Sequence, residues 1–143
     1  MNSYFYTLHR IQDPSFEAHS HSMPKRILVV DDSALVVKSL RCSLESIPDW
    51  VVGGEAANGR EAIEKVQRLN PDLVILDLSM PVMNGIDAAK ELSRIRPDLP
   101  VVMFTNTPEV AMGSLPRGCW SVVSKTEVSR LIRVISEIFE KAA

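Results

Sequence analysis

The chain lacks most of the features that would tie it to a membrane, a metal-thiolate centre or a nucleic acid. Its longest apolar runs, such as Ile27–Val30 and Leu73–Leu76, have four residues. A bilayer span needs ~18, and no basic-then-apolar leader opens the sequence. No membrane partner is therefore expected, and a cytoplasmic location is. Only two cysteines are present, Cys42 and Cys119. Neither belongs to a CxxC or a Cys/His ligand spacing, which speaks against a zinc site or a redox dithiol. Both are expected to be buried thiols in a reducing compartment. No charge of one sign dominates: 16 Lys and Arg stand against 18 Asp and Glu, for a net charge of −2. Direct DNA binding is accordingly not expected from this chain. There is no GxGxxG or Walker loop for a nucleotide, and no internal repeat.

What is present fits one globular domain. At 143 residues, 45% of them hydrophobic, the chain can bury roughly two-thirds of its unfolded surface without a disulfide or metal staple. Residues 1–24 differ from the rest. They hold His9, His19 and His21 among Ser, Asn and Gln, without periodicity, and are expected to be a flexible N-terminal extension. His19 and His21 lack a third ligand, so a solvated tail is preferred to a metal grip. Tyr4, Phe5, Tyr6 and Phe16 are unusual in such a segment and would suit docking on a partner. Met23-Pro24 also offers an alternative start.

From Lys25 on, strand and helix signals alternate. Strands are expected at Arg26–Asp31, Trp50–Ala56, Asp72–Asp77, Pro100–Thr105 and Cys119–Ser124, in short apolar runs suited to burial on both faces. Ser33 can cap a first helix with Val36, Leu40, Leu44 and Ile47 inward. Asn58-Gly59 reads as a turn. It precedes a helix at Arg60–Leu69, with Ile63, Val66 and Leu69 inward. A third helix spans Gly85–Ile95, with Ile86, Ala89 and Leu92 inward. The last, Glu127–Lys141, turns Val128, Leu131, Ile132, Ile135, Ile138 and Phe139 to one face. Between Pro108 and Gly118, Gly113 and Pro116 leave room for only a short, irregular fourth helix. Five βα units with right-handed crossovers imply an α/β, doubly wound, flavodoxin-like (βα)5 sandwich. Its five-stranded parallel sheet would have the order 2-1-3-4-5.

In such sheets ligands bind beyond the carboxyl ends of the strands. Strand one ends in Asp31-Asp32, strand three in Asp77, strand four in Thr105 and strand five in Lys125. Three carboxylates gathered in one pocket repel and raise each other's pKa. A hard divalent cation such as Mg²⁺ resolves the conflict, since it prefers carboxylates, phosphate and water. With an ammonium added, the set becomes a receptor for a phosphoryl group. A carboxylate can itself be the nucleophile that takes that group, and the Thr105 hydroxyl can report its arrival.

These residues resemble the receiver domains of two-component response regulators over about residues 25–141. The likeness rests on VVDDS (29–33), DLVILDLSMPVMNG (72–85), VVMFT (101–105) and VVSK (122–125), in order and at strand ends. It implies a receiver domain over 25–143 with Asp77 as phosphoacceptor. It also implies a Mg²⁺ site of Asp31, Asp32, Asp77 and the backbone carbonyl of Ser79. Lys125 would pair with the phosphoryl group, and Thr105 would be the switch hydroxyl. In the loop after Asp77, Pro81 would fix φ and Gly85 would supply backbone freedom. A histidine kinase or phosphotransfer protein would donate, and an unidentified downstream protein would read the result. Catalysis would be confined to the domain's own phosphorylation and dephosphorylation; it would not otherwise be an enzyme.

Several positions depart from the family pattern. Val122 stands where an aromatic residue is usual, and Trp120 is expected on the same strand face as Val122. Asn106 replaces a small residue, and Thr126 replaces a proline. The surface from the fourth helix to the fifth strand is therefore expected to be remodelled. A degenerate receiver, binding its partner irrespective of phosphorylation, is the alternative. A dehalogenase-type phosphatase is disfavoured because Ser79 stands where a second acid is needed. A flavodoxin-like redox protein is disfavoured by the acidic Asp31-Asp32 loop.

Overall fold

The computed structural model describes residues 23–113, 115 and 119–142. Residues 1–22 of the expected extension lie outside the described residues. The elements run β1 (Lys25–Val30), α1 (Ala34–Glu45), β2 (Trp50–Ala56), α2 (Gly59–Leu69), β3 (Leu73–Leu76), α3 (Gly85–Ile95), β4 (Val101–Thr105), α4 (Pro108–Met112), β5 (Cys119–Ser124) and α5 (Val128–Ala142). All strand pairs are parallel and the order is β2-β1-β3-β4-β5. The chain thus has the doubly wound architecture expected of its alternating pattern.

Alternation along the buried strands sorts the core into two layers. On one face of the sheet Ile27, Val29, Ile75, Phe104 and Val123 meet Leu40 and Leu44 of α1 and Leu131, Ile135 and Phe139 of α5. On the other, Leu28, Val30, Leu76, Met103 and Val122 meet Ala62 and Val66 of α2, Ala88, Ala89 and Leu92 of α3, and Ala111 of α4. Small alanines let α2 and α3 approach the sheet closely. Ala89 is inward as expected, and Ala62 and Ala88 are further inward positions. In α1 the fully buried valine is Val37, with Val36 only packed at the margin. Leu69 of α2 and Ile86 of α3 are likewise only partly buried.

Helix starts are fixed by side chains that satisfy orphan N–H groups. Ser33 Oγ accepts from Val36 N (3.3 Å), Asn58 Oδ1 from Glu61 N (2.9 Å) and Asn84 Oδ1 from Asp87 N (2.9 Å). Asn58 is thus a helix cap rather than a free-standing turn. The fourth helix is as short as expected: five residues, with Pro108 in its first turn and no side-chain cap bond at Thr107.

Two further expectations fail in these elements. Cys42 is exposed. It lies two residues beyond Leu40, on the side of α1 away from the sheet. Trp120 does not share a face with Val122. The β4–β5 register pairs Val101 with Cys119 and Val102 with Ser121, so Trp120 is the extra residue of a bulge. Val122 packs in the α2–α3 layer, whereas Trp120 lines a groove against α5.

Candidate functional site

Parallel pairing sets four strand ends side by side. Val30, the last residue of β1, pairs with Leu76, the last of β3. Asp31 and Asp77 follow directly. Asp77 N donates to Val30 O (2.9 Å) and Asp31 N to Ala56 O (3.0 Å), so both backbones are still held by the sheet while the side chains clear its edge. Lys125 N donates to Thr105 O (2.9 Å), which fixes the other two residues in the same way.

Asp31, Asp77 and Thr105 are the buried polar side chains of the described core, at 4%, 6% and 2% exposure. Asp32 and Ser79 are exposed at the rim. Lys125 Nζ lies 2.6 Å from Asp31 Oδ2 and 3.4 Å from Asp77 Oδ2. The ammonium is therefore bound mainly to Asp31 and bridges toward Asp77. Ser33 N donates to Asp31 Oδ1 (2.8 Å), an Asx turn that orients this carboxylate. Thr105 Oγ1 accepts from Thr107 N (3.1 Å) and lies 3.4 Å from the Thr107 hydroxyl. Thr107 was not singled out in the sequence. The Thr-x-Thr spacing is the signal that could have found it.

Electrostatics follow from this packing. Burial pushes the Asp77 carboxyl above its usual range, Asp31 adds to the shift, and Lys125 opposes it. A raised carboxylate pKa contributes stability below the ordinary value near 3.9, and that contribution is lost as pH rises through the folded value. The ionised Asp77 is therefore a cost to the fold at neutral pH. Lys125 is raised on balance: burial works against its charge, but the hydrogen bond to Asp31 and the nearby Asp77 outweigh it.

Carboxylate oxygens of Asp31, Asp32 and Asp77 lie within 4.8 Å of one another. One ammonium does not balance three acids, and an all-oxygen donor set of this kind fits a hard divalent cation.

The loop after Asp77 is built on close approach. A Cβ on Gly85 would lie 2.0 Å from Asp77 O and 2.9 Å from Leu78 Cα, and Gly85 N donates to Leu78 O (2.8 Å). Glycine is needed there for space, not for conformational freedom. The positive φ falls instead on Val82, at 67°, with Met83 N donating to Pro81 O (2.7 Å). A β-branched residue in this region is strained, and it stands beside the site.

Residues 27–136 match the family model for the response regulator receiver domain. The chain is 41% identical over 106 residues to protein-glutamate methylesterase/protein-glutamine glutaminase 1 of Methanosarcina acetivorans. That match covers 71% of this chain and 30% of the relative, so the chain spans under a third of that protein's length. Among solved structures, the response regulator domain of Thermotoga maritima CheB superposes with a TM-score of 0.73 at 30% identity. It covers 80% of this chain and 95% of that one. A CheX-CheY-BeF3-Mg²⁺ complex from Borrelia burgdorferi gives 0.68 at 25% identity, covering 82% and 93%. The chain belongs to the receiver-domain family of two-component response regulators.

Proposed function

We propose that this receiver, taken as residues 25–143, accepts a phosphoryl group on Asp77 from a histidine kinase or phosphotransfer protein. The observation that carries this reading is the Asp77 carboxylate. It is 6% exposed, raised in pKa, 3.4 Å from the Lys125 ammonium and clustered with two further acids. A buried carboxylate under such strain is a poised nucleophile.

In the step proposed, an Asp77 oxygen forms a bond to phosphorus while the bond from phosphorus to the donor atom breaks. With a phosphohistidine donor the electron pair leaves on imidazole nitrogen; with acetyl phosphate it leaves on acetate oxygen. The product is a mixed anhydride on Asp77. Mg²⁺, held by Asp31, Asp32, Asp77 and the Ser79 carbonyl, would supply charge neutralisation for the phosphoryl oxygens. Lys125 must lengthen its contact to Asp31 to pair with the new oxygens. Thr105 must turn its hydroxyl from Thr107 toward them. These two movements transmit the added charge of about −1.5 to −2 to the α4–β5 surface, where a downstream protein reads it. One receiver of the family is described in a complex with BeF3 and Mg²⁺, which supports this reading for a chain with an acidic cluster at its strand ends.

The test is incubation with Mg²⁺ and acetyl phosphate, followed by intact mass. A Mg²⁺-dependent phosphate adduct is expected, and it should be absent from Asp77→Asn. An adduct retained in Asp77→Asn would overturn the assignment. Lack of any adduct, together with equal partner affinity for Asp77→Asn and the unchanged chain, would favour a phosphorylation-independent binding module.

A further inference from the structure

The end of the sheet opposite Asp77 carries a cavity of its own. Strands β1, β3, β4 and β5 begin there, and between their starts and the end of α5 lies a space of about 260 Å³. Its walls include Lys25 at the start of β1, Asp72 just ahead of β3, Pro100 just ahead of β4, Trp120 of β5 and Phe139 of α5. Asp31, Asp77 and Thr105 stand at the other ends of these strands, so the cavity is separate from the reacting groups.

Aromatic surface on this wall is left uncovered. Trp120 is 47% exposed, whereas Trp50 is 9% exposed and packs edge-on against Phe139. The rim carries both signs of charge. Lys25 Nζ stands 5.4 Å from the Phe139 ring centre, and Arg96 Nη1 donates to Asn70 Oδ1 (2.6 Å). Asp72 and Asp98 also border the space, and Asp72 Oδ2 accepts from Arg26 N (2.8 Å).

The chain enters β1 at this cavity, and what precedes β1 is rich in rings. Half of the chain's aromatic residues, both tyrosines among them, fall in residues 1–22, as Tyr4, Phe5, Tyr6 and Phe16. The family match begins at residue 27, so the receiver fold does not account for them. Phe16 precedes Lys25 by nine residues, a reach of about 30 Å when extended. From β1 to β5 is three strand spacings, about 14 Å. A short tether holds the ring at a high effective concentration, and Phe16 has the shortest tether of the four. Asp13 and Glu17 flank Phe16 and suit Lys25 and Arg96.

We propose that the segment Asp13–Glu17 folds back beneath the sheet and seats the Phe16 ring against Trp120, at the amino ends of the strands. Burying two aromatic faces on one another supplies the apolar gain, and the tether makes a contact that is weak between separate molecules sufficient within one. The segment would then be a fastening of this chain on itself. No step at Asp77 enters the inference.

The two tryptophans of the full chain provide the test. Trp120→Phe assigns the indole N–H resonance of the exposed one. In the unchanged chain, nuclear Overhauser contacts from the Phe16 ring to the Trp120 indole are expected. Phe16→Ala should abolish them, shift the Trp120 resonance and raise the quenching of tryptophan fluorescence by acrylamide, while the Trp50 resonance stays in place. Tyr4→Ala combined with Phe5→Ala and Tyr6→Ala should leave the Trp120 signals where they are. Both variants change residues outside the described elements, and circular dichroism confirms that they keep the fold. The proposal is overturned if Phe16→Ala leaves the Trp120 signals unchanged, or if the triple variant moves them instead. It is also overturned if the Trp120 resonance varies with protein concentration, which would make the occupant a second copy. The acetyl phosphate reaction is read at Asp77 by mass, so its failure would sink the phosphoryl reading and leave this one standing.

Discussion

The half of the molecule built from β1 to α3 and the corner built from α4 and β5 follow the same winding rule with different materials. In the first half each helix has 11 or 12 residues, and Ser33, Asn58 and Asn84 cap their starts with side-chain hydrogen bonds. In the corner the helix has five residues and no side-chain cap bond, and it leaves Val110 and Met112 exposed. The strand beside it is bulged and presents Trp120. Isolated helices this short are not stable on their own and depend on packing, and α4 buries only Ala111. The carboxylates and their supporting loops sit mainly on the well-capped half, while the exposed Trp120, Val110 and Met112 sit in the corner. The function proposed above would favour this division: reacting groups need fixed positions, and a surface that signals needs a low cost of rearrangement.

The same substitution made on each side should expose this difference most strongly. Gly85→Ala sets a Cβ 2.0 Å from Asp77 O. It should destabilise by about 3 kcal/mol or more, at or beyond the upper end for overpacking, because the obstacle is backbone. Gly113→Ala meets nothing nearer than Val110 O at 3.7 Å, and Gly113 has φ −76°. It should be neutral or stabilise by up to about 1 kcal/mol through the unfolded chain. Thermal or urea melts of the two variants decide the matter. Equal losses would mean that the corner is as tightly built as the site loop.

A smaller effect is expected from the caps. Asn58→Ala removes the acceptor for Glu61 N and should cost about 1 kcal/mol. Thr107→Ala removes a hydroxyl that caps no helical N–H and should change stability by less than about 0.5 kcal/mol. If Thr107→Ala proved the costlier, its 3.4 Å neighbour, the Thr105 hydroxyl, would have to be contributing more to the fold than the cap geometry implies.

The contrast also governs what the sequence alone makes legible. Asp31, Asp32, Asp77, Thr105 and Lys125 were legible because strand ends are legible: each follows a short apolar run, and parallel winding leaves one edge on which they can meet. The bounds of β2, α3 and β5 were legible for the same local reasons. What escaped depends on contacts without a one-dimensional signature. A bulge inserts a residue without changing composition, so strict alternation along β5 puts Trp120 on the wrong face. Gly85 in a loop suggests backbone freedom, whereas the close approach to Asp77 O that requires it appears only in three dimensions. That Lys125 rests chiefly on Asp31, and that Thr105 turns to Thr107, are choices among nearby partners which sequence spacing does not rank.

Cysteine chemistry gives the finest comparison, and it runs against the general trend. Cys42 lies in the well-capped half yet is exposed. Cys119 lies in the corner yet is partly buried, and its thiol donates to Ser121 O (3.5 Å). Burial pushes the Cys119 thiol above its usual range, which lowers its thiolate fraction at neutral pH, and the thiolate is the reacting form. With iodoacetamide at pH 7, Cys42 should be alkylated first, and Cys119 should lag by about tenfold or more. The lag should narrow as pH rises, because the Cys119 thiolate accumulates only toward higher pH. Peptide mapping reads both sites, and Cys42→Ser should leave a single slow thiol. If Cys119 instead reacts as fast as Cys42 at pH 7, the start of β5 must open often enough to cancel its burial, and the corner would be looser than even its short helix implies.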